Sequence, residues 1–155
     1  MPLLAAPALE FFADLSVQVS APQEIGAVPQ GRRRVIPISG GEVQGDGWRA
    51  RVLPGGADFQ LIVGETMAQL DARYVLETDG GDLIFVQNRA LRVASAEATG
   101  KLMRGEPVDP AQVYFRCFPA FETAAPALAW INERLFVGAG ARKPDRVEIS
   151  CYLLR

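Results

Sequence analysis

The residues best suited to chemistry in this sequence are a carboxylate, an arginine and a few aromatic side chains. Asp58 follows two glycines in the stretch "LPGGADFQL", and these glycines allow the backbone to approach another group closely. Beside an apolar cavity, the carboxyl of Asp58 would have a raised pKa and could act as a general base or acid. As a turn residue that caps backbone amides, it would be structural. Both interpretations stay open.

Arg116 lies in "VYFRCFPAF", a run that is apolar on both alternating faces. A guanidinium group in such surroundings is unfavourable unless it is paired and hydrogen-bonded. The pattern therefore predicts that Arg116 is buried beside a cavity and faces an acidic residue. It would form an internal ion pair or present its fork to a substrate carboxylate or enolate oxygen. A surface arginine that keeps its charged end in water is the third and least expected alternative. The acidic candidates are Asp58, Asp71 and Glu122, and the predicted catalytic residues are Asp58, Arg116 and Tyr114.

A second polar set occurs in "DARYVLET", residues 71–78. Asp71, Arg73 and Glu77 share one face of an alternating strand, and such charged faces usually lie in solvent. If this face lined a polar lumen instead, Arg73 would neutralise an anionic substrate and Asp71 would orient it. Aromatic rings and an amide elsewhere could complete the site, although strand aromatics are commonly core residues. The predicted substrate-binding residues are Arg73, Asp71, Tyr74, Trp130 and Asn132.

The composition argues against several classes of function. The chain has no histidine, the commonest general base and metal ligand, and no acidic cluster has the spacing of a known cation loop. We therefore expect no metal and no cofactor. A net charge of -2 argues against nucleic-acid binding. Cys117 and Cys151 lie in apolar alternating runs, which predicts buried thiols and no disulfide. With no signal-peptide pattern and no apolar run near ~18–20 residues, we expect a cytoplasmic chain without a membrane partner.

Strands must position these side chains. Hydrophobic residues recur with a period of two from Leu9 to Leu153, which predicts nine or ten short strands, including residues 131–140. "DGGD" at 79–82 predicts a hairpin turn, and one short helix is expected near residues 95–104. Closure would remove the exposed edges of so many strands, so a barrel is favoured over a sandwich. We predict that residues 1–155 form one all-β domain, a single antiparallel β-barrel with one short helix that can enclose a small ligand.

Three blocks of the sequence resemble a known family. They are "LPGGADFQL", "LDARYVLETDGGDLIFVQN" and "GEPVDPAQVYFRCFPAFETAAPALAWINERLFVGAGARKPD". They are similar to domain of unknown function 3237, also called uncharacterised protein family 0311, and the similarity runs from about Leu9 to the C-terminus. The resemblance implies a β-barrel fold and mostly bacterial, cytoplasmic members, and it implies no particular reaction. At Phe59 the family more often has tryptophan.

The sequence favours two functions and leaves a third open. The first is a cofactor-free enzyme of the isomerase, lyase or cyclase type, which uses general acid–base chemistry on a small, mostly apolar substrate bearing a carbonyl or carboxylate. The second is a barrel that binds or carries a hydrophobic small molecule without transforming it. The third is a structural dimer module. The expected partners are therefore a small-molecule ligand and a second copy of the chain.

Overall fold

The computed structural model describes residues 1–155 and contains ten strands and one α-helix. The strands are β1 (Leu9–Val19), β2 (Gln23–Val28), β3 (Gly31–Gly45), β4 (Arg49–Val52), β5 (Ala57–Val63), β6 (Met67–Thr78), β7 (Leu83–Val93), β8 (Tyr114–Thr123), β9 (Phe136–Arg142) and β10 (Arg146–Leu154). The helix α1 spans Ala96–Met103, and 3-10 helices span Pro110–Gln112 and Pro126–Glu133. No helix has the length and apolar character needed to cross a membrane.

Eight strands close into an antiparallel barrel. Hydrogen-bonded neighbours run from β1 through β10, β9, β8, β7, β6, β5 and β3, and β3 pairs with β1 to complete the circuit. Two strands lie outside this circuit: β2 pairs with the first part of β3, and β4 continues the line of β5 between β3 and β6. The predicted closed barrel with one short helix is confirmed.

The long strand β3 makes this closure possible because its neighbours change along its length. Its first half pairs with β2 and β5, and its second half pairs with β1 and β4. Gly41 lies in the second half with a φ of 140°, and a Cβ atom there would collide with the carbonyl oxygen of Ser16 on β1. A glycine at this position therefore allows β1 and β3 to approach closely.

The barrel is filled by alternate side chains of every strand and closed by different groups at its two ends. At one end, the rings of Phe12, Phe121 and Phe136 pack together, with 4.7 Å between the centroids of Phe12 and Phe136. At the other end, α1 follows β7, and its Met103 packs against a cluster that contains Phe115. Apolar contacts thus close both ends of the barrel.

One predicted strand begins later than expected. Residues 131–133, which the sequence analysis assigned to a strand, belong to the 3-10 helix Pro126–Glu133. Pro126 begins this helix, where its fixed φ is compatible with a helical turn and its missing N–H is not needed. The strand β9 begins only at Phe136, so Trp130 and Asn132 lie in a connection at the aromatic end of the barrel.

Candidate functional site

Polar side chains lie inside the barrel beside a core that is largely apolar. Asp58 and Gln60 project from β5, Tyr74 from β6, and Asn88 and Arg92 from β7, and each is at most 9% exposed. They occupy inward-facing alternate positions of three neighbouring strands. The register places Asp58 and Asn88 opposite the same residue of β6, so the two lie at one level of the barrel. The site therefore depends on the pairing of β5, β6 and β7.

Most of these polar groups lack a partner within the protein. Gln60 Nε2 donates a hydrogen bond to Asp58 Oδ2 at 2.9 Å. Five buried atoms have no hydrogen-bond partner in the chain: Asp58 Oδ1, Gln60 Oε1, Tyr74 Oη, Asn88 Oδ1 and Arg92 Nη2. Buried polar atoms in folded proteins are nearly always hydrogen-bonded, to protein or to ordered water. These five atoms must therefore be satisfied by water or by a bound molecule.

A small cavity adjoins this cluster. Its volume is about 30 Å³, and ten of its twelve lining residues are hydrophobic. Asp58, Tyr74 and Asn88 line it together with an apolar wall that includes Phe115 and Ile149. A cavity of this volume can hold about two water molecules. It combines apolar walls with a few convergent polar groups, which is the usual character of a small-molecule site.

A larger depression on the surface is a poorer candidate. It has a volume of about 570 Å³ and lies on the barrel exterior, where its lining includes Asp14, Glu42, Arg49 and Glu148. These charged side chains are exposed or half-exposed, so water can solvate them. None of the unpartnered buried atoms lies there. The chain also has no group of three histidine, cysteine, aspartate or glutamate side chains that could hold a metal ion.

The surroundings of Asp58 favour proton transfer. Burial raises the pKa of the Asp58 carboxyl, while the hydrogen bond from Gln60 and the charge of Arg92 act in the opposite direction with smaller effect. Burial disfavours the charged form because the interior solvates it poorly. A carboxyl with a raised pKa can accept or release a proton closer to neutral pH, as a general acid or base must.

The neighbouring groups keep fixed protonation states at neutral pH. Burial raises the pKa of the Tyr74 hydroxyl far above its ordinary value, so this group stays protonated and can donate a hydrogen bond. Burial lowers the pKa of Arg92 to about 10, so its guanidinium group remains charged near neutral pH. The polar cluster thus contains a hydroxyl donor and a carboxyl with a raised pKa that line the cavity, and a cation just beyond its lining.

The structure brings together only two of the residues predicted from sequence. Asp58 and Tyr74 both line the cavity. Arg116 and Tyr114 lie instead on the outer face of β8, where both are exposed. The Arg116 guanidinium carbon lies 5.3 Å from the centre of the Tyr114 ring, and its Nη1 donates to the carbonyl of Phe115. The prediction that Arg116 is buried beside a cavity and faces an acidic residue was therefore wrong.

The cause of this error is the apolar character of both faces of β8. The inward face carries Phe115 and Cys117, and the outward face carries Tyr114 and Phe118, which are exposed. Apolar residues on a protein surface are common and do not by themselves indicate burial. An arginine between two exposed aromatic residues keeps its charged group in water.

Arg73 and Asp71 also lie outside the barrel, as is usual for a charged strand face, so the alternative in which they line a lumen and bind substrate was wrong. Arg73 Nη2 lies 3.0 Å from Asp71 Oδ2, and Gln87 Nε2 donates to Asp71 Oδ1 at 3.2 Å. The inward face of this part of β6 carries Ala72 and Tyr74. The charged residues therefore form a solvated pair on the outer sheet surface, where an ion pair contributes little to stability.

Trp130 and Asn132 lie at the aromatic end of the barrel and do not line the cavity. Asn132 Oδ1 accepts a hydrogen bond from the Thr123 amide at 2.8 Å, and Asn132 Nδ2 donates to the Thr123 carbonyl at 3.0 Å. The Trp130 ring lies 5.8 Å from that of Phe12. Asn132 therefore joins the end of β8 to the following helix, and Trp130 packs on the barrel end.

Sequence reasoning missed three residues of the polar cluster: Gln60, Asn88 and Arg92. Each lies at an even spacing from another polar residue on the same strand, since Gln60 follows Asp58 by two positions and Arg92 follows Asn88 by four. In a strand, residues at such spacings share one face. This shared face was the available signal, and it indicates a polar lumen once Asp58 is placed inside.

Comparisons with known proteins agree with the barrel fold. A family model described as "Protein of unknown function (DUF3237)" matches residues 7–154. A UPF0311 protein of Rhodopseudomonas palustris is 43% identical over 148 residues, which cover 94% of this chain and 97% of that protein.

Solved structures extend this likeness. A crystal structure of a protein of unknown function from Rhodopseudomonas palustris has a TM-score of 0.93 at 39% identity, over 98% of this chain and 100% of that one. A β-barrel-like protein from Acinetobacter baumannii has a TM-score of 0.86 at 36% identity, over 100% of this chain and 100% of that one. A protein described as an enzyme, from Penicillium herquei, shares the fold with a TM-score of 0.74 at 14% identity, over 100% of this chain and 99% of that one.

Proposed function

This chain belongs to the DUF3237 family, and we propose that it is a cofactor-free enzyme that transfers a proton on a small, mostly apolar substrate with a carbonyl or carboxylate group. The observation that carries the proposal is the buried carboxyl of Asp58, whose Oδ1 has no partner in the chain and adjoins an apolar cavity. Many isomerisations, eliminations and cyclisations proceed by such a proton transfer, which a positioned carboxylate can perform.

The neighbouring side chains have complementary roles in this proposal. Asp58 would take a proton from a carbon or hydroxyl group of the substrate and return it to the product. The hydroxyl of Tyr74 would donate a hydrogen bond to a substrate oxygen, and the charge of Arg92 would stabilise the negative charge that develops there. Such interactions are strong in an interior from which water is excluded.

The size of the cavity limits how a substrate enters. Its volume of about 30 Å³ is far below the ~300 Å³ or more of a typical ligand pocket. A substrate of more than a few atoms therefore requires movement of the cavity wall. Four lining residues are half-buried, and of these Val19 and Val147 lie at the ends of β1 and β10, where a strand opens more readily than at its middle. We place the route of access at these two residues.

A second candidate function is the binding of a hydrophobic molecule without reaction. The observation that favours it is the apolar character of the cavity, in which Asp58 is the only charged lining residue. The fold is compatible with either function, since one barrel with this fold is described as an enzyme, and a fold alone does not determine activity.

Proton exchange tests the proposed activity without knowledge of the natural reaction. Small ketones, enones, phenols and 2-oxo acids are incubated in D2O with the protein, and the loss of each exchangeable C–H signal is followed by NMR. We expect the unmodified protein to accelerate exchange in at least one compound class. We expect Asp58→Asn to lose this acceleration, because the amide cannot accept the proton.

The matched control is Asp71→Asn, which removes a carboxylate from the outer face of the neighbouring strand. It should retain the exchange activity. Equal activity of Asp58→Asn and the unmodified protein, or no acceleration with any compound, would contradict the proposal. Ligands that raise the melting temperature without any exchange would favour the binding function instead.

A further inference from the structure

Three arginine side chains lie together in the interior at the end of the barrel that α1 covers. They are Arg34 on β3, Arg92 on β7 and Arg142 on β9. Arg34 and Arg92 are buried, with 2% and 3% of their surface exposed, and Arg142 is half-buried. Arg92 lies opposite Phe115 of β8 and Arg142 lies opposite Val147 of β10, so each adjoins a residue that lines the cavity, although neither arginine lines it itself. Arginine stays charged in proteins, so this end of the interior is positively charged.

Arg34 has its partners within the chain. Its Nε donates to Glu24 Oε1 at 2.8 Å, and its Nη2 donates to the carbonyl of Met103, in the last turn of α1, at 3.0 Å. The carbonyl end of a helix is a favourable place for a cation. Arg34 therefore ties β2, β3 and α1 together, and its charge is balanced.

Arg92 and Arg142 have no carboxylate partner within ion-pair distance. Arg142 Nη1 donates to the main-chain carbonyls of Lys143 and Arg146, and these groups are neutral. Arg92 Nη2, although buried, has no hydrogen-bond partner in the chain. A buried guanidinium group without a counter-ion is unfavourable, because the interior does not replace its hydration. These two residues therefore provide positive charge that the protein itself does not balance.

Asp58 is the carboxyl group whose charge reaches both Arg92 and Arg142, whereas Asp145, which also acts on Arg142, is exposed and paired with Arg146. Burial raises its pKa, so it is a weaker counter-ion than an ordinary aspartate. The positive charge of this region therefore exceeds the negative charge that nearby side chains supply. An anion bound beside Arg92 would correct this imbalance.

We propose that the ligand of the interior cavity is a small organic carboxylate, whose carboxylate group binds Arg92 beside Arg142. The inference rests on the proposed function in that it takes the same cavity as the substrate site, but it does not depend on turnover. The planar fork of a guanidinium group matches the two oxygens of a carboxylate, and Arg92 Nη2 is free to donate. The apolar part of the ligand would contact the wall that includes Phe115 and Ile149, with its reacting carbon beside Asp58.

The shape of the site favours a carboxylate over a phosphate. Ten of the twelve lining residues are hydrophobic, and the volume of about 30 Å³ is small. A phosphate group is larger and carries more charge, so its desolvation in a small and largely apolar cavity is less favourable than that of a carboxylate. A planar carboxylate on an aliphatic or aromatic body satisfies both the guanidinium group and the apolar wall.

The test compares each carboxylate with its own neutral amide. Benzoate and benzamide, cinnamate and cinnamamide, and hexanoate and hexanamide are titrated into the full-length protein by calorimetry, with inorganic phosphate as a further probe. We expect at least one carboxylate to bind roughly ten-fold or more tightly than its amide. Arg92→Met should abolish this preference, and Arg92→Lys should keep the charge but lose much of the affinity, because lysine lacks the fork.

Two further variants keep the test decisive. Arg142→Gln should reduce the preference even if Arg92→Met fails to fold, and Arg116→Met, on the outer face, should leave it unchanged. Equal binding of carboxylates and amides, a preference that survives both Arg92→Met and Arg142→Gln, or selective binding of phosphate would overturn the inference. Carboxylate binding without proton exchange would leave the inference standing and refute only the catalytic function. Proton exchange on neutral ligands, with no binding of carboxylates, would support the catalytic function and refute this inference.

Discussion

Asp58 and Arg92 lie in the same barrel interior but do not form an ion pair. The charge of each shifts the pKa of the other, yet Asp58 Oδ1 and Arg92 Nη2 both lack a hydrogen-bond partner in the chain. Direct pairing would be the simplest way to stabilise two buried charges. Because the strands hold them apart, each keeps an atom free to contact a bound molecule. The separation of the two charges therefore costs the barrel stability and leaves both groups available for the proposed function.

Asp58→Asn is expected to raise the free energy of unfolding at neutral and alkaline pH. Burial raises the pKa of Asp58, so the folded chain binds this proton more tightly than the unfolded chain. The resulting stability is complete below the unfolded pKa, near pH 4, and is lost as the pH rises through the folded pKa. Asparagine carries no charge and can still accept the hydrogen bond from Gln60. The advantage of the variant should therefore grow from pH 4 to pH 8 in urea unfolding experiments.

Asp71→Asn is a control, because the stability contributed by Asp71 should depend on pH in the opposite direction to that of Asp58. Burial would raise the pKa of Asp71, but the hydrogen bonds from Arg73 and Gln87 outweigh it, so this pKa is lowered. Stability from Asp71 is therefore present above the unfolded pKa and is lost as the pH falls through the folded one. The variant should be less stable than the unmodified protein at neutral pH. A stability difference for Asp58→Asn that does not change with pH would show that ionisation of Asp58 does not destabilise the fold.

Tyr74→Phe should separate stability from function. The Tyr74 hydroxyl is buried without a partner in the chain, so its removal leaves the ring packing unchanged. We expect the free energy of unfolding to change by less than about 1 kcal/mol, since an apolar replacement of the same shape is nearly neutral. Any proton-exchange activity should fall roughly 10- to 100-fold with the lost donor. Thermal unfolding and the NMR exchange assay measure the two effects, and a strong loss of stability would identify a structural role instead.

The barrel could be predicted from the sequence because its strands alternate regularly. In β10, Ile149, Cys151 and Leu153 are buried as the period of two predicts. The hairpin turn at residues 79–82 also lies where "DGGD" indicated it, between β6 and β7. The end of the 3-10 helix Pro126–Glu133 was predicted as a strand because Ile131, Leu135 and Val137 lie at even spacings, although Glu133 interrupts them. Local alternation cannot distinguish such a turn from a strand without its tertiary contacts.

The candidate site was only partly predictable because alternation defines two faces without showing which one is inside. The placement of Tyr74 inside also places Asp71 and Arg73 outside, since they lie at odd spacings from it. For Arg116 both faces were apolar, so the sequence offered no basis for a choice. Arg92 was overlooked although it shares a face with Asn88. The closure of the barrel decides these cases, because it fixes which side of each strand is buried.

Arg34→Met is expected to destabilise the fold. Arg34 is buried and donates to Glu24 and to the carbonyl of Met103, so the substitution leaves both acceptors without this donor. We expect a loss of about 2–3 kcal/mol, below the ~3–5 kcal/mol of a fully buried pair, because Glu24 is nearly half exposed. Urea unfolding measures the change. Arg116→Met is the control, and a surface substitution of this kind should change stability by less than ~0.5 kcal/mol. Equal effects of the two variants would contradict the assigned burial.

The thiol of Cys117 should report whether the interior is closed. Cys117 and Cys151 are buried, and burial raises the pKa of the Cys117 thiol to about 11 and that of Cys151 further still. Since the thiolate is the reactive form, both thiols should react slowly with iodoacetamide near pH 8 in the native protein and rapidly in concentrated guanidinium chloride. Ala90, which lines the cavity, lies directly opposite Cys117 in the pairing of β7 and β8. A carboxylate that occupies the cavity should therefore slow the labelling of Cys117 further, which mass spectrometry of labelled peptides can measure. Rapid labelling of the native protein would show instead that solvent reaches the barrel interior freely.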